Sequence, residues 1–294
     1  MYLFQLLMFL FQYIYINYGT FYDENIIKMV KLHFKDGGTI HRTQRGTKRV
    51  ILFLSGAYTL EYPLYIKKTM YDLETTYPSI MANYELICYE NPMKSYFTNT
   101  DNICEYIRCL NLEIDGIEEL VLFGFSAGGV VASHVVSQLD DLKCRKKIIT
   151  YDTPYHVHTN VDSFKNNLVY RADFVFFRKV YYVYLDYADA KHFTDIFWNS
   201  GSPRMTQMIL DVEGWTFDEF YKKTGFNFNL AKDVCVYNIY STNDPIVCCN
   251  LIESHIKENP VGFKLKDIKK TTFGHCSDMA FSATYLTDII ECLF

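Results

Sequence analysis

The chain has 294 residues, 49% of them hydrophobic and 21% charged, enough to bury a large core as one α/β domain or as a domain with an insertion. Its net charge of -5 leaves no basic footprint for nucleic acid, and no polyanionic ligand is expected. Its 9 cysteines contain no Cys-x-x-Cys pair, only the adjacent Cys248-Cys249; they offer neither metal-ligand spacing nor a disulfide framework, and they favour reduced thiols and a cytoplasmic setting.

Residues 1–16 carry no charge, and the first charged residue is Asp23. That length suits a signal-peptide core or a short anchor, but a positive leader is missing and Gln5 and Gln12 interrupt the run. An element packed on the main domain is the alternative, so residues 1–24 stand apart as signal, anchor or packed segment. Secretion or membrane association, through residues 1–16, stays open beside the cytoplasmic reading. The lack of any Asn-x-Ser/Thr sequon argues mildly against a glycosylating pathway.

From there the pattern becomes regular. Residues 26–34 alternate as a strand, Lys35-Asp36-Gly37-Gly38 reads as a hairpin turn, and residues 39–42 read as the return strand. The apolar run 49–54 predicts a buried strand. Alternating helices and strands follow at 63–77, 84–89, 99–112, 119–123, 127–139 and 147–151. Such alternation predicts a doubly wound, mostly parallel α/β sheet with right-handed crossovers.

The alternation stops at 153–231, a stretch dense in aromatics such as Tyr170, Phe174, Phe176, Phe177, Tyr181 and Trp198. It reads as an inserted, mostly helical cap. Tyr and Phe share AT-rich codons with Ile, Asn and Lys, so their abundance carries little functional weight by itself. The α/β pattern resumes with a strand at 233–241, a helix at 246–258, a strand at 263–271 and a closing helix at 279–293. The core is thus expected to comprise 25–152 and 232–294.

Chemistry is concentrated in Gly124-Phe125-Ser126-Ala127-Gly128-Gly129, which joins an apolar strand to a helix. A sharp strand-to-helix turn strains the central serine and tolerates only small flanking residues, because strand and helix pack almost in contact. Such a turn presents the Ser126 hydroxyl beside the first N–H groups of the helix, where an oxyanion can be held.

A nucleophilic serine needs a base, and the base needs an orienting acid. Asp244 follows the strand 233–241 in Asn243-Asp244-Pro245, at the edge where open α/β sheets bind ligands; an Asp-Pro turn or a helix N-cap is its bland role. Asp152, at the end of the strand 147–151, competes as the acid. For the base, Gly274-His275 lies on a late loop before the last helix. The other seven histidines fall on earlier strands, on helices or in the cap. A second oxyanion donor is expected from Ser55-Gly56-Ala57, with the Ala57 N–H beside that of Ala127.

With Ser-Gly-Ala at 55–57, Gly-Phe-Ser-Ala-Gly at 124–128, Asn-Asp-Pro at 243–245 and Gly-His at 274–275, the chain resembles the α/β-hydrolase family over residues 25–294. Where many relatives carry His-Gly, it has Ser55-Gly56. The resemblance implies Ser126 as nucleophile, His275 as base and Asp244 as acid, with Ala57 and Ala127 as oxyanion donors and no cofactor. The expected activity is hydrolysis of a carboxylic ester, hydrophobic or lipid-like if the aromatic cap forms the acyl pocket. A thioesterase or acyltransferase on the same triad, and a non-catalytic binding protein of this fold, are the alternatives.

Overall fold

A computed structural model describes residues 29–35, 38–54, 56, 64–90, 99–156, 210–211, 214–244, 247, 249–259, 262–273 and 284–294. Its centre is an 8-stranded sheet in the order β1-β2-β4-β3-β5-β6-β7-β8. The strands are β1 (Val30–His33), β2 (Thr39–Arg42), β3 (Arg49–Leu54), β4 (Glu85–Glu90), β5 (Glu119–Phe125), β6 (Arg145–Tyr151), β7 (Cys235–Asn243) and β8 (Lys264–Phe273). β2 pairs antiparallel with β1 and β4, and β3 to β8 pair in parallel. An antiparallel hairpin therefore feeds a parallel sheet, as the sequence predicts.

The central strands are apolar on both faces, so they read in sequence as runs rather than as alternation. Val50, Leu52, Leu54, Leu120, Leu122 and Ile148 enter one core. Ile51, Phe53, Val121, Phe123 and Ile149 enter the other. The first core is closed by α3 (Thr100–Glu113), through Ile103, Ile107 and Leu110, and by α4 (Ala127–Gln138), through Val131, Val135 and Val136. On the second face lie α1 (Leu64–Thr76), through Ile66, Met70 and Leu73, and α7 (Thr284–Leu293), through Tyr285, Leu286 and Ile289. Helices on both faces make the sheet doubly wound. Each such side chain contributes about 1.5–3 kcal/mol on burial.

All four residues of β1 are exposed, Val30 and Leu32 included. It is an edge strand, with a neighbour on one side only. Three further helices complete the described set: α2 (Pro78–Met81), α5 (Phe217–Lys223) and α6 (Cys249–Glu258). Helix α5 opens with a full capping box, Thr216 and Glu219 each bonding the other's backbone N–H. Most of the expected cap, 157–209 together with 212–213, lies outside the described residues, as do residues 1–28. Among the described residues no helix is long and apolar enough to cross a membrane.

The chain leaves β3 for β4 on one side and returns to β5 on the other. The carboxyl ends of β3 and β5 therefore flank the switch point of the sheet, where a crevice forms.

Candidate active site

Ser126 ends β5 and begins α4 with φ 49° and ψ -128°. Backbone in so sparsely populated a region costs about 1–3 kcal/mol and persists only where surrounding contacts over-determine it. Here they do. The Ser126 N–H donates to the Tyr151 carbonyl at 2.8 Å, and the Ser126 carbonyl accepts from the Gly129 N–H at 3.1 Å. A serine at this position ordinarily caps its helix with its hydroxyl; Ser126 makes no such side-chain bond. Its side chain is half-buried at the mouth of the sheet.

Glycines make the turn possible. A β-carbon on Gly124 would lie 2.3 Å from the Gly129 nitrogen, and one on Gly129 would lie 2.2 Å from Thr153 Oγ1. Strand and first helical turn thus pack backbone to backbone. Helix α4 is otherwise a poor helix former, with Val130, Val131, Val135 and Val136; burial of those valines, not propensity, holds it. By helix geometry the N–H groups of Ala127 and Gly128 have no partner within the helix. The loop after β3 meets the serine from the other side of the switch point: a β-carbon on Gly56 would sit 3.1 Å from Ser126 Cβ and 3.5 Å from its Oγ. Ala57, the expected donor, lies outside the described residues.

Both acid candidates stand at carboxyl ends of strands. Asp244 follows β7, and its Oδ1 accepts the Val247 N–H at 2.9 Å. The carboxylate therefore performs the turn-forming role expected of Asp-Pro, and that bond fixes it at the strand end. Asp152 follows β6, is only 1% exposed, and accepts the Ser241 N–H on Oδ1 at 2.9 Å. His275 follows Phe273, the last residue of β8, by two positions in the chain and lies outside the described residues. Phe273 is the Cα partner of Asn243, the residue before Asp244.

The other described histidines have structural surroundings. His134, on α4, makes a 2.8 Å bond from Nε2 to the Gly225 carbonyl, so Nε2 carries the proton. Burial pushes its pKa down against that bond, keeping the ring neutral. His33 bonds Thr39, and His156 packs on Tyr221 with ring centroids 4.4 Å apart. Among the described residues no group of His, Cys, Asp and Glu is placed to hold a metal ion.

One contributor escapes a reading of the sequence: Thr153, fully buried against Gly129. Nothing in Asp152-Thr153-Pro154 signals a wall for the serine turn, because the contact joins the segment after β6 to the first turn of α4.

A serine turn after β5, a glycine loop after β3 and a carboxylate after β7, on a sheet of this strand order, decide the architecture. The chain has the α/β-hydrolase fold. An esterase of Pyrococcus furiosus superposes with a TM-score of 0.58 at 12% identity, covering 94% of this chain and 96% of that one. An esterase of Exiguobacterium antarcticum gives 0.50 at 12%, covering 90% and 98%. An epoxide hydrolase of Bacillus megaterium gives 0.50 at 13%, covering 90% and 99%. No family model matches the sequence, and no curated protein matches it significantly. Since α/β-hydrolase sheets carry both esterases and an epoxide hydrolase among these neighbours, the reaction has to be argued from the residues of the site.

Proposed function

We propose that this protein is a serine hydrolase that cleaves a carboxylic ester through an acyl-enzyme. The observation that carries the reading is Ser126 itself, held at φ 49° between β5 and α4 with its hydroxyl not spent on capping the helix. In the mechanism, His275 takes the hydroxyl proton as Ser126 Oγ attacks the acyl carbon, and Asp244 orients the imidazole. The oxyanion is assigned to the N–H groups of Ala127 and Ala57. Collapse of the tetrahedral intermediate expels the alcohol, which takes its proton from His275; water then repeats the sequence to release the acid. The closeness of Gly56 to Ser126 supports the donor assignment, since the loop after β3 already abuts the nucleophile. The aromatic residues of 153–231 favour an apolar or lipid-like acyl group. Lipid or membrane contact through the cap or residues 1–16 belongs to the same proposal.

A fluorophosphonate probe tests it. The wild-type protein is expected to label at Ser126, and Ser126→Ala to abolish labelling. An inert wild type, or a labelled Ser126→Ala, would falsify the reading. Product analysis with an added alcohol or thiol separates hydrolysis from acyl transfer: predominant transfer would replace ester hydrolysis by an acyltransferase.

A further inference from the structure

Resting on the serine-hydrolase reading, we infer that Asp152 is a positioning residue, one that ties the nucleophile turn to the loop bearing Asp244, and not the acid of the triad. Strand β6 lies between β5 and β7, so its carboxyl end is where the chain can hold both. Two successive residues do so. The Tyr151 carbonyl accepts the Ser126 N–H at 2.8 Å, and the Asp152 N–H donates to the Ile239 carbonyl at 2.9 Å. The chain then turns at Asp152 with φ 47°, and the carboxylate, 1% exposed, accepts the Ser241 N–H at 2.9 Å.

That last bond falls where it matters. The pairing of β7 with β8 shifts register between Ser241 and Asn243 before it resumes at Asn243–Phe273, so the ladder is irregular just after Ser241. A carboxylate-to-amide bond, charge-assisted and stronger than a neutral one, holds Ser241 at that irregularity, and Asp244 follows three positions on. Asp244 also begins one residue beyond the Asn243–Phe273 pair that precedes Gly274-His275, whereas Asp152 stands one strand further away. Each carboxylate accepts one backbone N–H on Oδ1, but the Asp152 bond reaches across to β7 while that of Asp244 closes its own turn. A left-handed backbone carries Asp or Asn more readily than most residues and Gly without strain, and this fixes the choice of variants.

The test compares Asp152→Asn, Asp152→Gly and Asp244→Asn in hydrolysis of p-nitrophenyl butyrate. Asp152→Asn keeps an acceptor oxygen and the turn, and its kcat is expected within about threefold of wild type. Asp152→Gly keeps the turn and loses the acceptor; kcat is expected to fall about ten- to a hundredfold with KM and the pH profile unchanged. Asp244→Asn is expected to lose about 10⁴-fold, as removal of a triad carboxylate does. An inactive Asp152→Asn beside an active Asp244→Asn would make Asp152 the acid and overturn the inference. So would an Asp152→Gly whose folded fraction keeps wild-type kcat. Amide hydrogen exchange gives a readout independent of the chemistry. Protection at Ser241 is expected to fall in Asp152→Gly and to persist in Asp152→Asn, and unchanged protection in Asp152→Gly overturns the inference as well. If protection falls as expected while Ser126→Ala still reacts with the probe, the failure lies in the serine-hydrolase reading and not in the contact.

Discussion

Strands β5 and β6 use their two ends in opposite ways. At the amino ends, Glu119 and Lys147 pair at 3.2 Å, Tyr84 donates to Glu119 at 3.2 Å, and Lys147 donates to the carbonyl of Leu293 near the C-terminus. Burial, with the Glu119 charge adding to it, pushes the Tyr84 phenol up to about 12, so it stays a donor. At the carboxyl ends the same strands terminate in Ser126 and Asp152, at φ 49° and 47°. At the first end the buried Glu119 and Lys147 neutralise each other; the second end carries backbone strain and a serine whose hydroxyl does not cap its helix. The difference separates an end built for stability from the end at which the proposed chemistry falls.

The largest effect that would test this division is at the stable end. Glu119→Ala strands the buried Lys147 ammonium and is expected to cost about 3–5 kcal/mol in urea unfolding, since removing one partner of a buried pair leaves the other unpaired. The probe-labelling rate of the folded protein should not change. A slower rate at full folding would mean that the two ends are coupled.

A smaller loss is expected at the reactive end. Gly129→Ala drives a β-carbon into Thr153 and costs about 1–3 kcal/mol as overpacking, while also slowing labelling of Ser126. Adding Thr153→Ala removes the atoms at 2.2 and 2.7 Å and should restore part of both. Gly124→Ala admits no such rescue, because the obstruction there is the backbone of Gly128 and Gly129. Equal rescue of both variants would break the account of the turn.

The smallest effect concerns His134, which pins the Gly225 carbonyl to α4. Its pKa is lowered by burial, opposed by that hydrogen bond, so below its unfolded value near 6.5 the unfolded chain binds the proton first. The stability it contributes is full above that value and is lost as pH falls through the folded value. Thermal melts between pH 7.5 and 5 are expected to fall more for wild type than for His134→Gln, which keeps an N–H donor without titrating. Parallel curves would show that His134 does not titrate with folding.

Part of this was legible before any coordinates. The apolar runs at 49–54 and 119–123 become β3 and β5 because burial on both faces leaves no polar alternation to confuse. Gly124 to Gly129 foretold the turn because its requirement is local and steric. Helix α5 was less visible: its Thr216 to Glu219 capping box is a local signal, but it sits inside a stretch read as one cap. The exposure of β1 was not legible, since alternation records a chemical preference and not whether a neighbour exists to cover it. Asp152 stayed open as an alternative to Asp244 because each follows a strand that ends on the same edge.

By itself, then, the sequence determined the alternation of elements, the doubly wound class and the serine turn, all consequences of residue period, burial and local sterics. The strand order, the approach of Gly56 to Ser126, the wall formed by Thr153 and the bond from Asp152 to Ser241 were decided only in the tertiary structure. Each joins residues far apart in the chain, and hydrogen-bond and packing geometry between strands is set by which strands become neighbours, a relation that no local pattern encodes.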